Sequence, residues 1–174
     1  MCASPQKNQF QQFFSRIRKN HALEHATVHI LGQRYPNKSL IGRSDNRGFF
    51  IYGDISADTL QKTANEALMR LRNGETQLAI HPNCGTNLVT SASLAGLAAF
   101  LSLSGSKNDD WRKRLERLPT AIMLSAMALV IAQPLGNYFQ KRLTTNANIG
   151  SLEILSTRRI ERGTSSYLRV LTSD

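Results

Sequence analysis

Residues 88–105 read LVTSASLAGLAAFLSLSG, and residues 120–132 read TAIMLSAMALVIA. Both lie inside longer runs, 76–106 and 118–140, that contain no Asp, Glu, Lys or Arg. Each run supplies about 18–20 helical residues, close to the minimum needed to cross the hydrocarbon layer of a bilayer. The segment joining them, SKNDDWRKRLERLP (106–119), is charged and carries the sole tryptophan, a side chain enriched at membrane interfaces. The pattern predicts a two-helix transmembrane hairpin over 87–136. Ala92-xxx-Gly96 and Ala95-xxx-Ala99 offer small residues for close helix approach. The alternative is a helical pair buried in a soluble core, and Ser91, Ser93, Ser102 and Ser104 keep it in play.

Two crossings put both termini on one side. Residues 1–86 hold 11 Lys and Arg, 137–174 hold 6 and the linker holds 5. The flanks are large and residues 10–19, FQQFFSRIRK, lack the apolar core of a signal peptide. Both features favour cytoplasmic termini, in a plasma (inner) membrane. Mean hydropathy is −0.30, a mild value because the polar flanks average out the two apolar runs.

The 174 residues are one domain's worth, 41% apolar and 7% aromatic, so disorder is excluded. Two cysteines, Cys2 and Cys84, exclude a disulfide-stapled secreted scaffold. The net charge of +10 and a pI near 10.2 call for an anionic partner. The cations are scattered and no nucleic-acid motif appears, so the anionic head groups of a lipid bilayer fit better than nucleic acid.

Around the hairpin the flanks read as a small α+β region. A helix is expected over 6–31, with Phe10, Phe13, Phe14, Ile17, Val28 and Leu31 on one face. Residues 39–53, SLIGRSDNRGFFIYG, have hairpin composition, with SDNRG as the turn. A helix over 57–73 takes Ser56 as cap and Gly74 as terminator. TQLAIHP (76–82) reads as a short strand. SLEILSTRRI and SSYLRVLT read as two more strands, turning at Glu161-Arg162-Gly163. The expected fold is therefore an α+β membrane protein. Residues 1–86 form a histidine-bearing helix and small α+β region, 87–136 the hairpin, and 137–174 strands that pack back on the first part.

His21-Ala-Leu-Glu24-His25-Ala-Thr-Val-His29 holds three of the four histidines. At helical spacing they form one stripe about 80° wide. Imidazoles at i and i+4 project from adjacent turns and can share a divalent metal. A neighbouring carboxylate, Glu24, can orient a water and take its proton. His-x-x-Glu-His is the inverted zinc-protease pattern. The fourth histidine lies in His81-Pro-Asn-Cys84-Gly-Thr, a turn before the first apolar run, where His81 and Cys84 can reach one ion. Imidazole with thiolate favours zinc, or iron, over magnesium or calcium. The candidate ligands are thus His25, His29 and His81 first, with His21 or Cys84 completing the shell, and Glu24 as general base. Thr86, Asn87, Thr90 and Ser91, and Thr144, Thr145 and Asn146, stand ready as capping or supporting groups.

These motifs resemble the YqhQ-like family of bacterial membrane proteins. That family has a His-Gly-Ala-Glu-His-Lys segment, then His-Pro-Arg-Cys-Gly-Thr-Ser leading into apolar helices. The likeness continues to Gln140-Lys-Arg-Leu-Thr144-Thr145 and Leu152-Glu153-Ile154, and the chain is similar to a shorter, cyanobacterial-type relative. The resemblance implies a metal-dependent membrane protein and names no substrate. Two positions depart from it: Ala26 stands for the lysine and Asn83 for the arginine.

The leading expectation is a metal-dependent hydrolase with its site at the membrane surface. A lipid or membrane-protein substrate or partner would suit that place. The competing expectation is a non-catalytic metal or cofactor protein, or an assembly protein, using the same histidines.

Overall fold

The computed structural model describes residues 9–104, 111–163 and 165–173. Cys2, the first turn of the expected N-terminal helix and linker residues 106–110 lie outside the described residues. The chain divides into two compact units, one formed by 1–81 with 141–174, the other by 82–140.

The first unit is a helix-on-sheet sandwich. Helix α1 (Gln9–Arg34) is followed by the hairpin β1 (Ile41–Asp45) and β2 (Gly48–Tyr52), then α2 (Ala57–Arg72). Strands β3 (Glu153–Arg162) and β4 (Ser165–Ser173) complete an antiparallel sheet of order β1-β2-β4-β3. Register follows the two-residue period. Phe49 and Ile51 of β2 face Val170 and Leu168 of β4, and all four are fully buried. They meet Leu23, Ile30 and Leu31 of α1 and Leu60, Ala64 and Leu71 of α2 in one core. Ser56 caps α2 as expected, its Oγ accepting from the Thr59 N–H at 3.1 Å. Gly74, at φ +92°, turns the chain after it.

Three local expectations need correction. Residues 76–82 are not a strand: Thr76–Ala79 is a 3₁₀ turn. A short apolar run has the same periodicity in either form, and here Leu78 and Ala79 are buried against α1 and α2 rather than on a sheet edge. The apolar face of α1 is buried only in its second half. Phe10, Phe13 and Phe14 are exposed, with Phe14 tilted against Phe10 and edge-on to Phe13, while buried Asn20 ties α1 to the sheet. Its amide donates to Asp45 O at 2.9 Å and its Oδ1 accepts from Thr172 Oγ1 at 2.7 Å.

The second unit is a helical hairpin, α3 (Gly85–Leu103) and α5 (Leu118–Phe139), with the short α4 (Trp111–Glu116) before α5. Ser125 donates to Ala95 O at 3.2 Å midway. At the open end Asn87 donates to Pro82 O (2.9 Å) and Asn137 Oδ1 (3.1 Å), and fully buried Gln140 donates to Asn87 Oδ1 (2.7 Å). The third correction falls here. Ala92 and Gly96 face outward, so that pair of small residues does not make the helix contact. The close approach is at Gly136, where any Cβ would overlap the Asn87 side chain. Both α3 and the helix beginning at Leu118 are long and apolar enough to cross a membrane, and their apolar windows are almost wholly outward-facing. After α5 the chain makes a π-helical turn, Gln140–Thr144.

Candidate metal centre

The stripe predicted on α1 exists, and the first unit brings the fourth histidine to it. The imidazole centroids lie 4.2 Å apart for His21 and His25, 5.9 Å for His25 and His81, and 6.5 Å for His29 and His81. Two imidazoles on one tetrahedral zinc, with Zn–N about 2.0–2.1 Å, have centroids about 5 Å apart. The His21–His25 and His25–His81 spacings lie close to that value, whereas His29 and His81 stand farther apart than two ligands of one ion. Ligand nitrogens of His21 and His25 lie within 4.8 Å of each other.

Two backbone carbonyls decide the chemistry of this pair. His25 Nδ1 lies 2.7 Å from Ala79 O, and His21 Nδ1 lies 2.9 Å from Thr144 O. A carbonyl oxygen only accepts, so both Nδ1 atoms carry the proton. That makes Nε2 the lone-pair nitrogen in each neutral ring, the tautomer a metal-binding histidine needs. The turn at Thr76–Ala79 supplies one carbonyl and the π turn after α5 supplies the other. Both segments thus orient α1 side chains through main-chain atoms.

Glu24 is 5% exposed, with Oε2 3.8 Å from His21 Nε2. Its carboxyl occupies the place where a side chain at Gly42 of β1 would begin, and any Cβ there would overlap it. Gly42 has no positive φ, so the space it leaves for Glu24 is the physical reason for glycine. Burial pushes the Glu24 carboxyl up to about 7, against the opposing pull of His21. Burial, with His25 and His29 nearby, holds His81 below the ordinary histidine range.

Cys84 belongs to the second unit, three residues along the chain from His81. It is buried and caps α3, its Sγ accepting from the Thr86 N–H at 3.5 Å. Of the polar groups expected near the helix head, Asn87 fastens the turn and Thr90 donates to Thr86 O at 2.8 Å. Sequence reasoning did not find Ala79, Gly42 or Asn20. Ala79 acts through its carbonyl and Gly42 through an absent side chain, neither of which leaves a residue-type signature. Thr144 stood in a segment already singled out, though its carbonyl rather than its hydroxyl meets His21.

A helix-borne histidine and glutamate cluster on a small α+β unit, joined to a long apolar helical hairpin, defines the class of molecule. The chain belongs to the family described as Domain of unknown function (DUF6391), whose model matches residues 16–157. It is similar to an uncharacterised protein of the cyanobacterium Picosynechococcus sp., 38% identical over 165 residues that cover 87% of this chain and 77% of that one. No solved structure matches.

Proposed function

We propose that this protein is an integral membrane metalloprotein whose α1 histidines hold a transition metal at the membrane surface for hydrolysis. The observation that carries the reading is the pair of Nδ1–H bonds to Ala79 O and Thr144 O. They fix His21 and His25 in the tautomer that turns Nε2 toward a metal. His21 and His25 are the first ligands, and His81, whose ring lies 5.9 Å from that of His25, is the next donor within the first unit. Mixed imidazole and thiolate favour zinc, then iron. The motif likeness to the YqhQ-like family supports the same reading.

A metal bound there would supply Lewis acidity, drawing the pKa of a water toward neutrality. Glu24 would serve as the base there: it sits beside His21, and burial raises its proton affinity above that of an ordinary carboxylate. Gly42 keeps the carboxyl in place by leaving it room.

Membrane insertion rests on the outward faces of the hairpin. Leu88, Val89, Phe100, Ile122, Met123 and Val130 are each 64–74% exposed. Left in water, six such side chains forgo roughly 1.5–3 kcal/mol each. That equals the whole stability of a typical domain, about 5–15 kcal/mol, whereas lipid removes the cost. Both termini then lie on the cytoplasmic side, and the excess of cations meets anionic head groups.

A second reading is a non-catalytic metal or cofactor site. A shell closed by protein donors would favour it, because a catalytic zinc keeps an open position. Elemental analysis of detergent-purified protein, beside a His25→Ala/His81→Ala double variant, tests both. Near one zinc or iron per chain in the wild type and none in the variant supports the site. Absence of metal from a preparation made without chelator refutes it. Hydrolytic activity lost in Glu24→Gln with metal retained separates the enzyme from the non-catalytic protein.

A further inference from the structure

Beside the histidines the first unit has a groove of about 380 Å³, within the range of small-ligand sites, about 300–1,000 Å³. One wall is the 3₁₀ turn, with Thr76, Gln77 and Ala79. The other is the segment after α5, with Lys141, Thr145 and Asn148. Its polar lining is hydroxyl and amide plus a single ammonium. None of the residues that line it carries a carboxylate. Such a lining rejects cations and offers one charge with several neutral donors to an anion rich in acceptor oxygens.

Three further observations bear on what the groove takes. Lys141 is the first charged residue after the uncharged run 118–140, so it marks where the chain leaves its apolar stretch. It sits on the π-helical turn Gln140–Thr144, a rare local geometry that recurs at functional sites. The walls also hold the histidines. Ala79, which lines the groove, accepts from His25, and Thr144, next to the lining residue Thr145, accepts from His21. Arg18 pins the second wall by donating to Arg142 O at 2.9 Å and Thr145 O at 3.1 Å.

We infer that this groove is the head-group subsite of the protein and that it takes a phosphodiester, the acceptor-rich monoanion of an anionic membrane lipid. Lys141 makes the charged contact, and the Thr76, Gln77 and Asn148 side chains hydrogen-bond the remaining oxygens. Its role as a substrate subsite rests on the hydrolase reading given above. The binding itself uses none of the histidines.

The test is equilibrium binding to full-length protein in a neutral maltoside detergent, stripped of metal with chelator. The probes are dioctanoyl phosphatidylglycerol, the chain-free sn-glycero-3-phosphoglycerol, and dioctanoylglycerol, which lacks phosphate. The phosphatidylglycerol binds wild type and is weakened about tenfold by Lys141→Gln, which removes a charge-assisted contact, and at least as much by Asn148→Asp. Lys62→Gln, an exposed control paired with Asp58 on α2, binds as wild type. Equal affinity of the chain-free diester and the lipid keeps the site and makes its ligand a soluble phosphodiester. Unchanged affinity in Lys141→Gln, or dioctanoylglycerol binding as tightly as phosphatidylglycerol, overturns the inference. Binding that persists in a protein shown to hold no metal leaves the groove standing and removes only the hydrolase reading. Stoichiometric metal without phosphodiester binding does the reverse.

Discussion

Glu24→Gln in the metal-free protein makes the site's buried carboxyl measurable without knowing any substrate. The carboxyl is nearly isosteric with the amide, so packing against Gly42 is preserved. Burial raises its folded-state pKa from the ordinary 4.5 to about 7. The sign follows from proton counts. Below pH 4.5 the folded and unfolded chains both hold the proton, and Glu24 costs nothing. Between 4.5 and about 7 the folded state keeps a proton that the unfolded state has lost, so stability falls as pH rises. Above about 7 the full penalty is present, about 3 kcal/mol from the distance between the two pKa values. Glutamine never ionises and escapes it. Thermal unfolding in detergent with chelator therefore gives similar midpoints for wild type and variant at pH 4.5. At pH 8 the variant melts about 6–12 °C higher, taking 2–4 °C per kcal/mol for a chain of this size. Midpoints that stay parallel across this range would refute a desolvated Glu24, and with it the physical basis for its role as base.

Gly42→Ala forces the Glu24 carboxyl from its place, and overpacking of this kind costs about 1–3 kcal/mol. A melt shows the loss, and the double variant with Glu24→Ala recovers most of it if the clash is with that side chain. Asn87→Leu strips the donor from Pro82 O and Asn137 Oδ1 and the acceptor from buried Gln140, which costs about 2–4 kcal/mol. Gln140→Leu in the same chain should be less than additive with it, since the partners are shared. Ser56→Ala removes the α2 cap and lowers stability by about 1 kcal/mol, read from the shift in denaturant midpoint.

The histidine stripe was legible because helical period alone puts residues 21, 25 and 29 on one face. The apolar hairpin was legible because composition over 20 residues is itself the signal for a span. The β1–β2 turn, the Ser56 cap and the C-terminal strands were readable for the same reason: their cues are local in the chain. What failed was short or distributed. Residues 76–82 were too brief for periodicity to separate a strand from a turn, and only packing against α1 and α2 decided the matter. Small residues spaced four apart marked a face of α3 at 92 and 96, but contact with α5 selected Gly136 instead.

Sequence by itself determined which residue types are available for chemistry: imidazoles in register, a carboxylate beside them, and a His-x-x-Cys turn ahead of an apolar run. Tertiary structure alone decided how those groups behave. The protonated nitrogen of His21 and His25 is set by carbonyls 123 and 54 residues away, and the proton affinity of Glu24 by burial against a glycine on another element. Main-chain oxygens and missing side chains have no letter in the sequence, and desolvation is a property of what surrounds a group rather than of the group. Those features exist only once distant segments are packed together.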